Sequence, residues 1–256
     1  MSIDVSVNDH IALITLNRPE RLNAFDRAHY LALSDAFATV RDDPDIRVAV
    51  VTGQGERAFS TGADLKDLPF SMELADLMLT QNGLLPNRGM EVWKPIVAAV
   101  NGYCLAGGLC LMLGTDIRIA AEHASFGLSE VKRGLIAANG GVNRMVRQLP
   151  YAIAMEMLLT GEAIDAPTAA RWGLVNQVVP LAELMSTAMR YARTIAANAP
   201  LAVQAAKEVA QRGLDVDMRT GLRLEQVMLR MLQGSEDSRE GVAAFAEKRK
   251  PVFSGR

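Results

Sequence analysis

Cysteine is scarce in this chain: 256 residues hold two, Cys104 and Cys110. They lie six residues apart in an apolar stretch with no histidine near. That is neither a zinc-ligand spacing nor a disulfide framework, and a reduced, cytoplasmic protein with no metal is the expectation. An excess of either charge is also missing, since 27 Lys+Arg stand against 29 Asp+Glu for a net charge of −2. Nucleic-acid binding therefore has no electrostatic support. No repeat recurs at a fixed period and no low-complexity linker divides the chain. The N-terminus, MSIDVSVNDH, lacks a basic segment followed by an apolar one, so no signal peptide is expected. Half the residues are hydrophobic and 22% are charged, which excludes intrinsic disorder, collagen and coiled coil.

What is present suffices for a full core. At 27.7 kDa, area scaling predicts roughly 11,000 Å² of folded surface against roughly 40,000 Å² unfolded. One uncharged segment, Pro95 to Thr115, approaches the length of a membrane span. It is broken by Asn101-Gly102 and studded with glycine, so it reads as a buried strand, a glycine turn and a buried helix. No membrane association is expected.

Apolar β-rich runs alternate with helical periods through the first two thirds. Strands are predicted at 3–7, 11–16, 47–52, 96–100, 117–120 and 175–179, the first two forming a hairpin across Asn8-Asp9. A helix capped by Asp26 carries Tyr30, Leu33, Phe37 and Val40 on one face and ends at Asp43-Pro44. A second follows Gly140-Gly141 with Val142, Met145, Val146 and Leu149 inward. A short third runs from Pro167 to Gly173. Beyond Pro180 the pattern is helix after helix, with Leu181, Leu184, Met185, Ala188 and Ile195 making one stripe. Pro200 opens the next helix, and Met218, Leu222, Glu225, Leu229 and Leu232 span another. Asp237 and Glu240 are expected to cap a last helix through Arg249. An α/β fold with an all-helical C-terminal section results, divided into a core over 1–195 and a helical region over 196–256.

Gly53-Gln-Gly55-Glu-Arg-Ala58 matches a dinucleotide fingerprint after a strand, but loop residues follow where a helix should open. A glycine turn is the better reading. Phe59-Ser60-Thr61-Gly62-Ala63-Asp64-Leu65 and Asn101-Gly102-Tyr103-Cys104-Leu105-Ala106-Gly107-Gly108 each place small residues after an apolar strand. Such turns leave amides unshielded, and two converging amides would stabilise negative charge on a carbonyl oxygen. Taken singly, each is better explained as a structural turn. Glu130, in Ser125-Phe126-Gly127-Leu128-Ser129-Glu130, is a lone acid that on spacing alone reads as a surface residue.

Together these stretches carry a resemblance. With Asn17-Arg18-Pro19-Glu20-Arg21-Leu22-Asn23-Ala24-Phe25 and the final stretch from Phe245 to Phe253, they resemble the crotonase superfamily, the enoyl-CoA hydratase/isomerase family. Five ordered motifs cover nearly the whole chain. The resemblance implies a spiral of ββα units and a helical tail that builds a homotrimer, often a dimer of trimers. It implies an acyl-CoA substrate, with coenzyme A as part of that substrate and no separate cofactor. The thioester carbonyl would be held by the N–H groups of Ala63 and Gly107. Arg21, Leu22, Asp64 and Leu65 fall where the family lodges nucleotide and pantetheine. Phe245 and Lys248 match positions near the CoA end, in some members on a neighbouring subunit.

The departures bear on mechanism. Hydratases of the family carry two glutamates; Glu130 aligns with the second, and the first falls where this chain has Cys110. Ala138 replaces a glycine whose N–H helps hold the catalytic water. One carboxylate can take a proton from C2 and return it to C4, which is double-bond migration. The expectation is therefore an enoyl-CoA isomerase. A hydratase with altered water activation, or a non-catalytic acyl-CoA-binding trimer, are the alternatives. Cys110 is read as a packing residue rather than a nucleophile. The acyl pocket is expected to draw its walls from 69–89 and 139–144.

Overall fold

The computed structural model describes residues 3–66 and 85–256. Two sheets organise it. Strands β1 (Ile3–Asn8), β2 (Ile11–Leu16), β3 (Val48–Gly53), β5 (Ile96–Val100), β7 (Ile117–Ala121) and β10 (Gln177–Val179) form a six-stranded sheet in that spatial order. The short strands β4 (Ala58–Ser60), β6 (Tyr103–Leu105), β8 (Ser125–Gly127) and β9 (Ile164–Asp165) form a second sheet in chain order. Strands β3, β5 and β7 are each followed by a short strand of the other sheet, and β9 precedes β10, which is the ββα spiral that the resemblance implies.

Only the β1–β2 pair in the large sheet is antiparallel. The hairpin turn falls on Asp9 and His10, both at positive φ (50° and 65°), with Asn8 opposite Ile11. It sits one residue later than the expected Asn8-Asp9, because two positive-φ residues match the right-handed twist of the strands. Every residue of β3 and β5 is buried, as parallel strands covered on both faces require.

Alternation along these strands separates two packing layers. Val48, Val50, Val97, Ala99 and Ile119 face Leu184, Ala188 and Ala192 of α6 (Leu181–Ala196). Ala49, Val51, Ile96, Ala98 and Val100 face the main core, with Leu33 and Phe37 of α1 (Arg27–Asp42) and Leu109 and Met112 of α2 (Gly107–Leu113). Asp26 caps α1 by accepting the His29 amide at 2.9 Å. The uncharged segment resolves into β5, β6 and α2. No helix among the described residues is long and apolar enough to cross a membrane.

Helices α3 (Gly141–Gln148), α4 (Tyr151–Thr160) and α5 (Ala166–Arg171) complete the inner layer. The sequence reading omitted α4, whose mostly apolar run lacks a polar face, and the four short strands, each too brief to show a period. Helices α7 (Pro200–Gly213), α8 (Met218–Leu232) and α9 (Glu236–Glu247) follow α6. The expected cap of the last helix needs correction. Ser235, not Asp237, caps α9 by accepting the Ser238 amide at 3.0 Å. Asp237 lies inside the helix, where its carboxylate accepts the amides of Ser254 (2.7 Å) and Gly255 (3.0 Å) and pins the C-terminus. The last strand is also shorter than expected, beginning at Gln177 rather than Val175.

Candidate active site

Strands β4, β6 and β8 are neighbours and parallel. Residues just past their C-terminal ends must therefore emerge side by side, and those residues are Ala63, Gly107 and Glu130. Distant in sequence, the three are gathered by strand order.

Small residues make the approach possible. Gly62 has φ +85°, and a Cβ there would stand 2.5 Å from the Gly107 nitrogen, so backbone meets backbone. Phe25 brackets the loop, donating its amide to Gly62 O (2.7 Å) and accepting that of Asp64 (2.8 Å). Ser60 Oγ donates to Asn23 O at 2.8 Å and accepts the Gly62 amide at 3.1 Å. Asn23 and Asn101, both buried, each donate to Ala58 O, at 2.7 and 3.1 Å. The motif asparagines thus hold the strand that launches the loop. Between Gly53 and Ala58 the chain turns from β3 into β4 and no helix opens, so the apparent fingerprint is a glycine turn.

Ala106, which precedes Gly107, has φ 48° and ψ −125°. These are the angles of the first central residue of a type II′ turn, where glycine is the ordinary occupant. A strained residue held in place by its surroundings sets the direction of the Gly107 N–H. Neither Ala63 N–H nor Gly107 N–H has an acceptor among the described residues. A Cβ built on Gly107 would lie 3.5 Å from Ala63 N and 3.5 Å from the Tyr30 hydroxyl. The space beside Gly107 is therefore bordered by an amide and a phenol.

Glu130 opens a 3-10 turn through Arg133. Its Oε2 is buried and has no hydrogen-bond partner among the described residues, and burial raises its pKa above the ordinary carboxylate value. Cys110, on the first turn of α2, packs against Gly141, whose Cβ would stand 2.8 Å from Sγ. Burial, followed by the Glu130 charge, pushes the Cys110 thiol up to about 12. It stays protonated, which suits packing and not attack. Cys104 is fully buried with its thiol also pushed up by burial. The Ala138 amide donates to Ile136 O at 2.9 Å, so this N–H is already engaged.

On the neighbouring rim, Thr61 N–H donates to Leu22 O at 3.2 Å, which brings the expected CoA-binding residues together. Asp64 pairs with Arg18 at 2.9 Å. The Lys66 amide, then Arg18 and Arg21, hold the Asp64 carboxyl below its ordinary value. Arg21 is exposed, Leu22 has φ 54°, and Leu65 is 44% exposed. Phe245 and Lys248 make no hydrogen bond or ion pair with this group among the described residues. Phe245 is 87% exposed on α9, and Lys248 is its left-handed cap. Of the expected pocket walls, 69–84 lies outside the described residues. Gly140, Asn143 and Arg144 line a groove of about 350 Å³ with Asn87, Gln211 and Asp215, and Glu130 is not part of its lining. No three His, Cys, Asp or Glu side chains among the described residues are grouped to hold a metal ion.

Sequence reasoning took Tyr30 for core. The structure makes it half-buried, its ring 5.3 Å from that of Phe25 and its hydroxyl at the site. A tyrosine in a Leu/Phe/Val stripe was the available signal, because its O–H needs a polar outlet.

Comparison with known proteins agrees with this geometry. The sequence profile of the enoyl-CoA hydratase/isomerase family matches residues 6–256. The chain is 44% identical to (E)-benzylidenesuccinyl-CoA hydratase of Thauera aromatica, with all of both chains covered. It is 41% identical to carnitinyl-CoA dehydratase of Salmonella paratyphi A over 100% of this chain and 99% of that one. The crystal structure of enoyl-CoA hydratase from Bacillus anthracis superposes with a TM-score of 0.92 at 35% identity over the full length of both. A spiral of two sheets, three parallel strand ends meeting at one edge and these full-length matches agree: the chain belongs to the enoyl-CoA hydratase/isomerase family of the crotonase superfamily, enzymes that act on acyl-CoA thioesters.

Proposed function

We propose that this protein moves a proton at the α-carbon of an enoyl-CoA thioester, with Glu130 as its base and acid. The thioester oxygen accepts hydrogen bonds from the amides of Ala63 and Gly107, which stabilise the enolate as charge develops. Glu130 removes a proton from C2 of a 3-enoyl-CoA and returns it to C4, so the double bond moves into conjugation with the thioester. Arg21, Leu22, Asp64 and Leu65 receive the CoA portion, and no other cofactor is required.

The observation that carries this reading is the missing second carboxylate. Adding water needs one group to orient and deprotonate it and a proton for the α-carbon. Position 110 offers a buried, protonated thiol, and the Ala138 amide is bound to Ile136 O. A second reading, hydration or dehydration, is favoured by the names of the two full-length relatives, a hydratase and a dehydratase. A site used only for binding has no need of a buried, unpartnered carboxylate such as Glu130.

We also propose that the chain self-associates through the region from residue 196 onward, as a trimer or dimer of trimers. Met218, Leu229, Met231 and Phe245 are all exposed. Assembly would bring Phe245 and Lys248 to the CoA end of a neighbour's site.

The deciding experiment supplies 2-enoyl-, 3-enoyl- and dienoyl-CoA thioesters and identifies products by mass and double-bond position. One substrate carries a distal carboxylate, because Arg88 is half-buried near Tyr30 and its guanidinium has no hydrogen bond or ion pair among the described residues. Glu130→Gln should lower turnover by at least ~10² while acyl-CoA binding survives. The wild-type rate should rise with pH through a carboxyl pKa above the ordinary ~4.3, and the mutant should lose that limb. Stability moves the other way. A carboxyl whose folded pKa is raised disfavours the fold once ionised and not below its unfolded pKa. Glu130→Gln should therefore be more stable than wild type at neutral pH, with the gain vanishing below about pH 4. Unchanged turnover removes Glu130 from the mechanism; water addition as the main reaction selects the second reading.

A further inference from the structure

We propose that the Tyr30 hydroxyl is a catalytic donor, the third hydrogen bond to the thioester oxygen beside the amides of Ala63 and Gly107. This rests on the proposed enolate chemistry. The space a Gly107 side chain would fill lies 3.5 Å from Ala63 N and 3.5 Å from Tyr30 Oη. Amide and hydroxyl thus border one small volume, at most twice that distance apart. A substrate oxygen held by the two amides belongs in that neighbourhood. The phenol has no hydrogen-bond partner among the described residues, so its donor is uncommitted.

The ring is anchored independently of any ligand. Tyr30 lies on the first turn of α1, whose cap is fixed by Asp26, and its ring is tilted 55° against Phe25. Phe25 also brackets Ala63 through its backbone, so one residue sets both donors. Such a donor is preorganised, needing little rearrangement as negative charge builds on the oxygen. Burial pushes the phenol up to about 12, with the Glu130 charge adding to it and Arg88 pulling the other way. Tyr30 therefore keeps its proton through the assay range and serves as a donor, not a base. The bond is strongest to the enolate and weak to the ground-state carbonyl. The expected signature is a loss in turnover with little loss in substrate affinity.

The test is Tyr30→Phe, which removes the hydroxyl and keeps the ring against Phe25. Turnover on the active enoyl-CoA should fall about 10- to 100-fold, below or at the foot of the range for losing an oxyanion donor. Affinity for saturated butyryl-CoA should stay within about threefold. A second readout is acetoacetyl-CoA, whose bound enolate is seen by absorbance. The wild type should raise the enolate fraction, and Tyr30→Phe should lose most of that increase. Thermal unfolding checks that the variant is folded. Turnover within twofold of wild type, with an unchanged enolate fraction, overturns the proposal. A parallel loss of butyryl-CoA binding also overturns it, by making Tyr30 a ground-state wall. Glu130→Gln is run alongside. If it is inactive and Tyr30→Phe is normal, only the inference fails; if both are normal, the proposed function fails with it.

Discussion

The second sheet with its three loops and the C-terminal helices solve opposite problems. Around β4, β6 and β8 the packing is so close that backbone touches backbone at Gly62 and Gly107. In α7 and α8 no residue is buried within one chain, and Met218 and Met231 are 77% and 69% exposed. The spiral core completes itself and leaves two amides and one carboxylate oxygen without a partner among the described residues. The helical region ties down its polar ends and leaves apolar faces open. Unsatisfied polar groups in a closed core mark a place for a reacting ligand. Unsatisfied apolar faces on helices mark a place for another protein surface.

Charged latches join the two regions. Lys207 of α7 donates to Asp116 (2.7 Å) and to Lys94 O (3.0 Å), while Asp116 also accepts the Ile96 amide at the start of β5 (2.7 Å). Arg212 pairs with Glu91 at 3.1 Å and stacks over Trp93. Arg47 reaches from the core to Ala196 O and Phe253 O. The tail is held to the core by polar contacts more than by shared apolar packing.

Four substitutions, the middle two taken as a pair, would sharpen or break this contrast. The largest effect is expected at Gly62→Ala. The new methyl meets the Gly107 nitrogen at a positive φ, so the Ala63 and Gly107 amides are pushed apart. Turnover should fall by about 10³, the upper range for a lost oxyanion donor, and thermal stability should drop with it. Steady-state kinetics and a melting curve check both; a variant with normal turnover would show that the core tolerates slack where we see none.

Next comes the latch. Asp116→Ala leaves the Lys207 ammonium, 10% exposed, without its carboxylate, and should cost about 3–5 kcal/mol. Lys207→Met removes the charge and keeps the stem, so it should cost far less. Urea unfolding of both variants tests the asymmetry. Equal losses would mean that α7 docks by shape instead of charge.

The smallest effect on folding is expected at Met231→Glu, within about 0.5 kcal/mol because the side chain is exposed. Sedimentation should nevertheless show weaker self-association. If the assembly is unmoved, the open face of α8 is not where copies meet.

These regions differ in the same way in how much of them the sequence discloses. The long strands announce themselves, because β3 and β5 are unbroken apolar runs buried on both faces. Helices α1 and α6 are equally plain, with a cap or a proline at the start and a stripe at helical spacing. The short strands are hidden, since two or three residues carry no period, and so is α4. In the site, Ala63 and Gly107 look like ordinary turn residues. Only family resemblance singled them out, and it could not say that Tyr30 borders the same space.

The physical reason is locality. Period, capping and chain-breaking residues act over a few positions, so the sequence alone determined the long strands, the main helices and the glycine turns. It also determined that position 110 carries a thiol, where the resemblance implies a carboxylate in hydratases. The parallel order of β4, β6 and β8 depends on which distant strands satisfy one another's hydrogen bonds, and no local pattern encodes that. The tertiary structure alone decided that Ala63, Gly107 and Glu130 emerge at one edge. It likewise decided that Glu130 Oε2 is buried with no hydrogen-bond partner among the described residues and that the Ala138 amide is spent on Ile136. Burial and hydrogen-bond competition belong to the assembled fold, and they set the chemistry that each residue brings to it.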